Sequence, residues 1–386
     1  MRGRVFCLQI CGPRLWLSRI SRTRRSQHYS TVLTPKTETV QVFTGSNGSI
    51  SLDIYYHSHP ILPAHLLISL PRGLDLPSTS VANPEPINFS RLAQIAGTTV
   101  VRINYRLSAH VPYPTPIHDV LAGYDWIQKN LIRPNEYELP FRIGVYGELM
   151  GGSLAAMLGL TECSIIKRAA IRSVMVSNPI TDWTAIHEGM MNSGGSSECD
   201  NSDGNGTLEG GNASASGFSV QALLETRSKI FRKPEAYFDQ FASPLLFFRT
   251  PSSDLPSDAP SEEPPSGEAA SPEWIKKRRS YRRHPPTVSA LRLPRVRVEV
   301  GSGNILAEQG RELAAALKRS LGFNGRAGGG KRWEAFEEIH GFVKKDEVNV
   351  EEMGKAEVVE KDGLGLWTED DLLRAGEWFR EALRKP

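Results

Sequence analysis

Cysteine is scarce in this chain: the four residues at positions 7, 11, 163 and 199 are too few and too scattered for a disulfide framework or a tetrahedral zinc site. That usage fits a reducing compartment. Long apolar runs are missing as well: no stretch of about 18 apolar residues occurs, so no membrane-spanning helix is expected. An excess of one charge sign is also lacking, since 46 Lys and Arg stand against 43 Asp and Glu for a net charge of +3 over 386 residues. Such a balance argues against a surface built to hold nucleic acid. The run Lys276-Lys277-Arg278-Arg279-Ser280-Tyr281-Arg282-Arg283-His284 is basic, but one aromatic in a charged run reads as a solvated linker.

Acidic residues are absent before Glu38, and this absence is informative. Arg2, Arg4, Arg14, Arg19, Arg22, Arg24 and Arg25 alternate there with Val5, Phe6, Leu8, Ile10, Leu15, Trp16, Leu17 and Ile20. A basic, amphipathic, serine-containing leader has the composition of a mitochondrial transit peptide, so residues 1–30 are expected to direct the chain to mitochondria, the matrix in particular. A cytoplasmic protein with a basic tail is the alternative. Secretion is disfavoured because Arg14 and Arg19 interrupt any apolar signal core.

What is present, at 39% hydrophobic residues, is the makings of one α/β domain over 31–386. Val40, Val42 and Phe43, a turn at Gly45-Ser46-Asn47-Gly48-Ser49, and then Ile50, Leu52, Ile54 and Tyr56 predict a hairpin. The short apolar runs His65–Leu70, Thr98–Tyr105, Phe141–Tyr146 and Ala170–Val176 predict strands buried on both faces. Helical spacing at Ile117, Val120, Leu121, Tyr124, Ile127 and Leu131 separates two of them. A strand at Val296–Gly301, a helix near Ala307–Leu321, a strand at Trp333–Ile339 and a helix at Glu369–Leu383 complete an alternation that implies a mostly parallel sheet covered by helices on both faces. Residues 192–217 and 250–290 are too polar to order themselves and are expected to be disordered insertions. Between them, residues 218–248 form an aromatic and aliphatic stretch suited to a small helical cap, the cap as a whole spanning about 184–248.

Gly147-Glu148-Leu149-Met150-Gly151, at a strand-to-helix turn, has the frame of the nucleophile elbow G-x-S-x-G, with leucine at the central position. Upstream stand Arg102-Ile103-Asn104-Tyr105-Arg106-Leu107, Tyr113-Pro114, Asp119 and Trp126-Ile127. Together these blocks resemble the hormone-sensitive-lipase and bacterial-esterase group of α/β-hydrolases, also called α/β-hydrolase fold-3. The resemblance covers roughly residues 40–180 and 290–386.

It implies a carboxylesterase/lipase-like fold and names where each functional group should be. The nucleophile position holds Leu149, inside Gly147, Glu148, Met150, Gly151 and Gly152. Ser153 lies one helical turn farther on, and its hydroxyl is expected to bond back to a carbonyl. The family's His-Gly-Gly-Gly oxyanion loop corresponds to Pro71-Arg72-Gly73-Leu74, where Pro71 has no N–H to offer. The acid position holds Asn304, and the base position keeps His340, followed by Gly341 and Phe342. No cofactor and no metal are implied. The expectation is a pseudoenzyme that binds an apolar ligand under the cap, in a pocket lined by Leu149, Met150 and His340, or that binds a protein partner. The alternative is an active acyl-ester hydrolase using His340, with Glu148 or Glu308 as a further base, by a mechanism without serine.

Overall fold

Val42, Ile50, Leu52 and Ile54 are buried and alternate with more exposed neighbours, and this period of two folds the first ordered stretch into a hairpin. In it β1 (Thr37–Thr44) runs antiparallel to β2 (Gly48–Tyr55), with Val40 opposite Leu52 and Val42 opposite Ile50. The structure is a computed structural model that describes residues 36–45, 48–57, 65–73, 88–108, 110–132, 141–164, 166–167, 169–186, 219–251, 281–286, 289–302, 304–326, 355–361 and 368–384.

Beyond the hairpin, β2 pairs antiparallel with β4 (Thr99–Asn104). All later pairings are parallel and link β3 (Leu66–Leu70), β4, β5 (Phe141–Glu148), β6 (Ala169–Ser177), β7 (Arg295–Gly301) and β8 (Ala356–Lys361). The strand order β1-β2-β4-β3-β5-β6-β7-β8 makes one eight-stranded sheet. Every residue of β3 is buried, as a central parallel strand with both faces covered requires. One cover is α1 (Phe89–Ala96) with α6 (Glu369–Arg384), whose Leu92, Leu372 and Phe379 pack on Leu67, Val100 and Tyr146. The other is α2 (Thr115–Asn130), α3 (Met150–Thr161) and α5 (Ala307–Arg326), joined in the main core. Among the described residues no helix is long and apolar enough to cross a membrane.

The Tyr105-Arg106-Leu107 block has a structural role. Arg106 grips the buried Asp119 of α2 in bidentate fashion, Nη2 to Oδ1 at 2.6 Å and Nε to Oδ2 at 2.8 Å, and also reaches Thr44 Oγ1 at 2.9 Å. One guanidinium thereby ties together the end of β4, the start of α2 and the hairpin.

The structure departs from expectation at two places. The last strand described is Ala356–Lys361, whereas the strand expected at 333–339 lies outside the described residues. The expected insertion at 192–217 also lies outside them. The one at 250–290 ends before Tyr281, because His284 is buried against the rings of Phe247 and Phe248 and its Nε2 donates to the Leu160 carbonyl at 3.0 Å. Arg282 N also donates to the Phe248 carbonyl at 2.5 Å.

Half-buried His65 and buried His284 give the fold an acid liability. Burial, reinforced by the Arg142 and Arg384 charges, pulls the pKa of His65 from 6.5 to about 4, and burial also lowers that of His284. The unfolded chain takes these protons near pH 6.5, while folded His65 refuses its proton until about 4. Stability is therefore present above pH 6.5 and lost as the pH falls toward 4. Calorimetric melting temperatures taken from pH 7 down to pH 4.5 are expected to fall, and less steeply in His65→Leu. An equal slope in the variant would reassign the effect.

Candidate functional site

β5 runs into α3 through a single strained residue. Leu149 has φ 51 and ψ −115, a positive φ that costs a side-chain-bearing residue about 1–3 kcal/mol. The turn is closed by backbone contacts. A Cβ on Gly147 would lie 2.1 Å from the Gly151 carbonyl oxygen, and one on Gly151 would lie 2.2 Å from the carbonyl oxygen of Pro71. The strand-to-helix crossover thus fits only with glycine at these two places. α3 starts without a side-chain cap, so its first-turn amides, with Met150 and Gly151 buried, face the elbow.

Pro71, Arg72 and Gly73 sit against this turn; Leu74 lies outside the described residues. Tyr105 Oη donates to the Pro71 carbonyl at 2.8 Å and pins the loop to the end of β4. Gly73 has φ 77, and a Cβ there would lie 2.3 Å from Tyr105 Oη, so both the backbone and the space favour glycine. Arg72 turns its guanidinium to Glu148, Nη2 at 2.8 Å and Nε at 3.0 Å from Oε2. Glu148 is nearly fully buried, so this pair neutralises the carboxylate beside the elbow. An ion pair now joins the oxyanion-loop position to the elbow, and the resemblance gave no sign of it.

Asn304 is also committed to structure. Its Oδ1 accepts from Leu306 N at 2.9 Å and its N donates to the Gly301 carbonyl at 3.0 Å, closing the turn that leads into α5. Ser153 Oγ donates to the Ile180 carbonyl in the segment after β6, and the carbonyl of Leu149, one turn back, is farther off at 3.5 Å, so the hydroxyl bonds forward to that segment more than back into its own helix. Burial pushes the Cys163 thiol up to about 12, which keeps it protonated and unreactive at neutral pH. His340 lies outside the described residues, as do residues 362–367, which follow β8 in the sequence. Those residues read Asp-Gly-Leu-Gly-Leu-Trp and include no histidine.

The elbow, the oxyanion-loop position and the acid-position turn therefore converge at the carboxyl ends of the central strands. What covers them is the cap: α4 (Val220–Ile230), with 3-10 turns at Pro234–Phe238 and Pro244–Phe247. Leu149 was expected to line a pocket beneath it. Instead Leu149 and Met150, at 0% and 1% exposure, pack with Ile180, Trp183, Ile186, Leu223, Phe231 and Leu306 in a second apolar core. Leucine at the elbow has become packing.

The segment following β6 went unnoticed in the sequence. Arg249 and Asp182, both with fully buried side chains, pair at 2.5 Å, and Arg249 Nε lies 2.9 Å from Glu312 Oε1. Gln309 of α5 accepts from Thr181 N at 2.9 Å and Asp182 N at 3.0 Å, and donates to the Asp182 carbonyl at 3.1 Å. These residues lock cap, post-β6 loop and α5 together. An Asp and an Arg 67 positions apart offer no local pattern to detect.

The sequence pattern of the alpha/beta hydrolase fold matches residues 80–199, the region that contains α1, α2, β5 and the elbow. This chain has the α/β-hydrolase fold. Its sequence resembles the α/β-hydrolase fold-3 group over the same region. The hydrolase-fold chain is 32% identical over 93 residues to an ethyl acetate hydrolase of Pseudomonas putida, a match spanning 24% of this chain and 28% of that protein. Among solved structures it is similar to the thermostable carboxylesterase EstE1 from a metagenomic library (17% identity, 91% and 90% of the two chains, TM-score 0.52). It is likewise similar to carboxyl esterase 2 of the fungus Tuber melanosporum (14% identity, 92% and 90%, TM-score 0.53). A hyperthermophilic esterase of Pyrobaculum calidifontis shares the fold too (14% identity, 90% and 83%, TM-score 0.51).

Proposed function

We propose that this carboxylesterase/lipase-like α/β-hydrolase-fold chain is a pseudoenzyme that binds an apolar ligand, or a protein partner, where its relatives cleave esters. One observation carries the reading: the elbow keeps its strained conformation, and the side chain it presents is a wholly buried leucine. A leucine cannot attack a carbonyl, and in serine hydrolases loss of the nucleophile alone costs about a millionfold in turnover. The changes around it support the same conclusion. Pro71 offers no N–H to an oxyanion, and the Asn304 side-chain oxygen is used in its own turn.

The test is hydrolysis of p-nitrophenyl acetate and butyrate by the unmodified protein, by His340→Ala and by Leu149→Ser. All three are expected to remain at the buffer rate, and Leu149→Ser is expected to unfold at lower urea because it removes core packing. Hydrolysis by the unmodified protein that disappears in His340→Ala would overturn the proposal in favour of a mechanism based on His340.

A further inference from the structure

The chain leading into β7 lies against two neighbours. Tyr281 packs its ring beneath Arg319 of α5, with the guanidinium 3.9 Å from the ring centre, and His284 N donates to Ser320 Oγ of α5 at 3.5 Å. On the other side His284 Nε2 lies 3.0 Å from the Leu160 carbonyl near the end of α3. Farther on, Leu291 bridges to Ser164, and Arg292 N donates to the Cys163 carbonyl at 3.0 Å. These contacts set the loop between α3 and β6, residues 281–286 and 289–292, and the later turns of α5 side by side.

The surface they share is short of acid. No Asp or Glu occurs between Glu273 and Glu299, nor after Glu312 on α5. Glu312 and Glu162 are already committed, to Arg249 at 2.9 Å and to Lys167 at 2.7 Å. Arg282, Lys318 and Arg319 are exposed, and among the described residues no carboxylate pairs with them. Two of the four exposed large apolar side chains among the described residues stand on the same segments, Ile166 at 52% and Tyr281 at 48%. One such side chain alone is ordinary. An aliphatic and an aromatic tip beside cations without carboxylates suit the boundary between lipid headgroups and acyl chains.

We propose that this face is a docking surface for a bilayer containing anionic lipid. Arg282, Lys318 and Arg319 hold headgroup phosphates, while Ile166 and Tyr281 enter the interface. Nucleic acid would answer the charge and leave Ile166 in water; a bilayer answers both. The contact is peripheral and needs no spanning helix. It is separate from the reading of the elbow, since none of these side chains belongs to the cluster around Leu149.

The experiment is co-sedimentation of the full-length protein with vesicles of phosphatidylcholine alone and of equal parts phosphatidylcholine and phosphatidylglycerol. Binding is expected to the mixed vesicles only, and to weaken as salt is raised. Each cation near such a surface contributes about fivefold, so Arg282→Gln combined with Lys318→Gln should bind about 25-fold more weakly. An unchanged urea midpoint checks that this variant keeps its fold. Ile166→Ser leaves the charge unchanged and is expected to bind about five- to tenfold more weakly. If the double variant binds within about twofold of the unmodified chain, residues 1–30 or the run Lys276–Arg279 carry the binding and the surface is refuted. Equal binding by Ile166→Ser refutes insertion and with it the membrane. Single-stranded RNA held more tightly than the vesicles, and lost in the double variant, would make the surface one for nucleic acid. Failure of the unmodified protein to bind the mixed vesicles overturns the proposal outright.

Discussion

Arg249→Met is expected to destabilise the folded protein by about 3–5 kcal/mol, read as a fall in the urea midpoint with an unchanged slope. Methionine occupies much of the arginine stem's volume, so the loss is chiefly electrostatic. The side chain of Asp182 is fully buried and would be left without its cation. Its Oδ1 is already occupied by Thr184 N at 2.8 Å and Thr184 Oγ1 at 2.6 Å, leaving Oδ2 exposed to a dry interior. Removing one partner of a buried pair is far costlier than removing both, so Arg249→Met combined with Asp182→Asn should lie closer to the unmodified protein than Arg249→Met alone. A loss below about 1 kcal/mol for the single variant would place it in the range of surface ion pairs and refute a role for this pair in holding the cap.

Gly151→Ala should be worse still. The added methyl would lie 2.2 Å from the Pro71 carbonyl oxygen and 2.5 Å from that of Leu70. Both are backbone atoms, at the end of β3 and the start of a loop clamped by Tyr105, so no rotamer change relieves the clash. α3 would have to move away from the sheet along a helix whose residues 150–160 are all buried. A loss above about 4 kcal/mol, or failure to accumulate as folded protein, is expected from circular dichroism melts. Gly45→Ala is the control: nothing lies within 4 Å of the new methyl, and a change within about 0.5 kcal/mol is expected.

The central architecture was legible because its signals are local. The continuous apolar runs of β3, β4, β5 and β6 and the helical spacing of α2 each point to one conformation. β8 was not legible, since Ala356–Lys361 carries Glu357, Glu360 and Lys361 and is only partly buried at the sheet edge. The elbow was legible by its frame, down to the leucine at its centre. The filling of the space above it was not. Which face of the cap meets Leu149 depends on α4 and the two 3-10 turns folding back across residues far apart in sequence. The same holds for Arg72 with Glu148 and for Arg249 with Asp182, which are 76 and 67 positions apart. Pairing at such distances is a product of topology.

The torsion angles of Leu149 also bear on how such a chain changes over generations. Serine and leucine codons can differ by a single base, so the chemistry at an elbow can be lost in one step. The contorted backbone remains, held by Gly147, Gly151 and the clamped loop after β3. Once leucine is packed beneath the cap, the reverse step removes core volume, and on the proposed reading it restores no turnover until the neighbouring groups also return. On the pseudoenzyme reading proposed above the route is a ratchet: the backbone contortion would be the record of an ancestral reaction, and the side chain at its apex the point at which that reaction stopped.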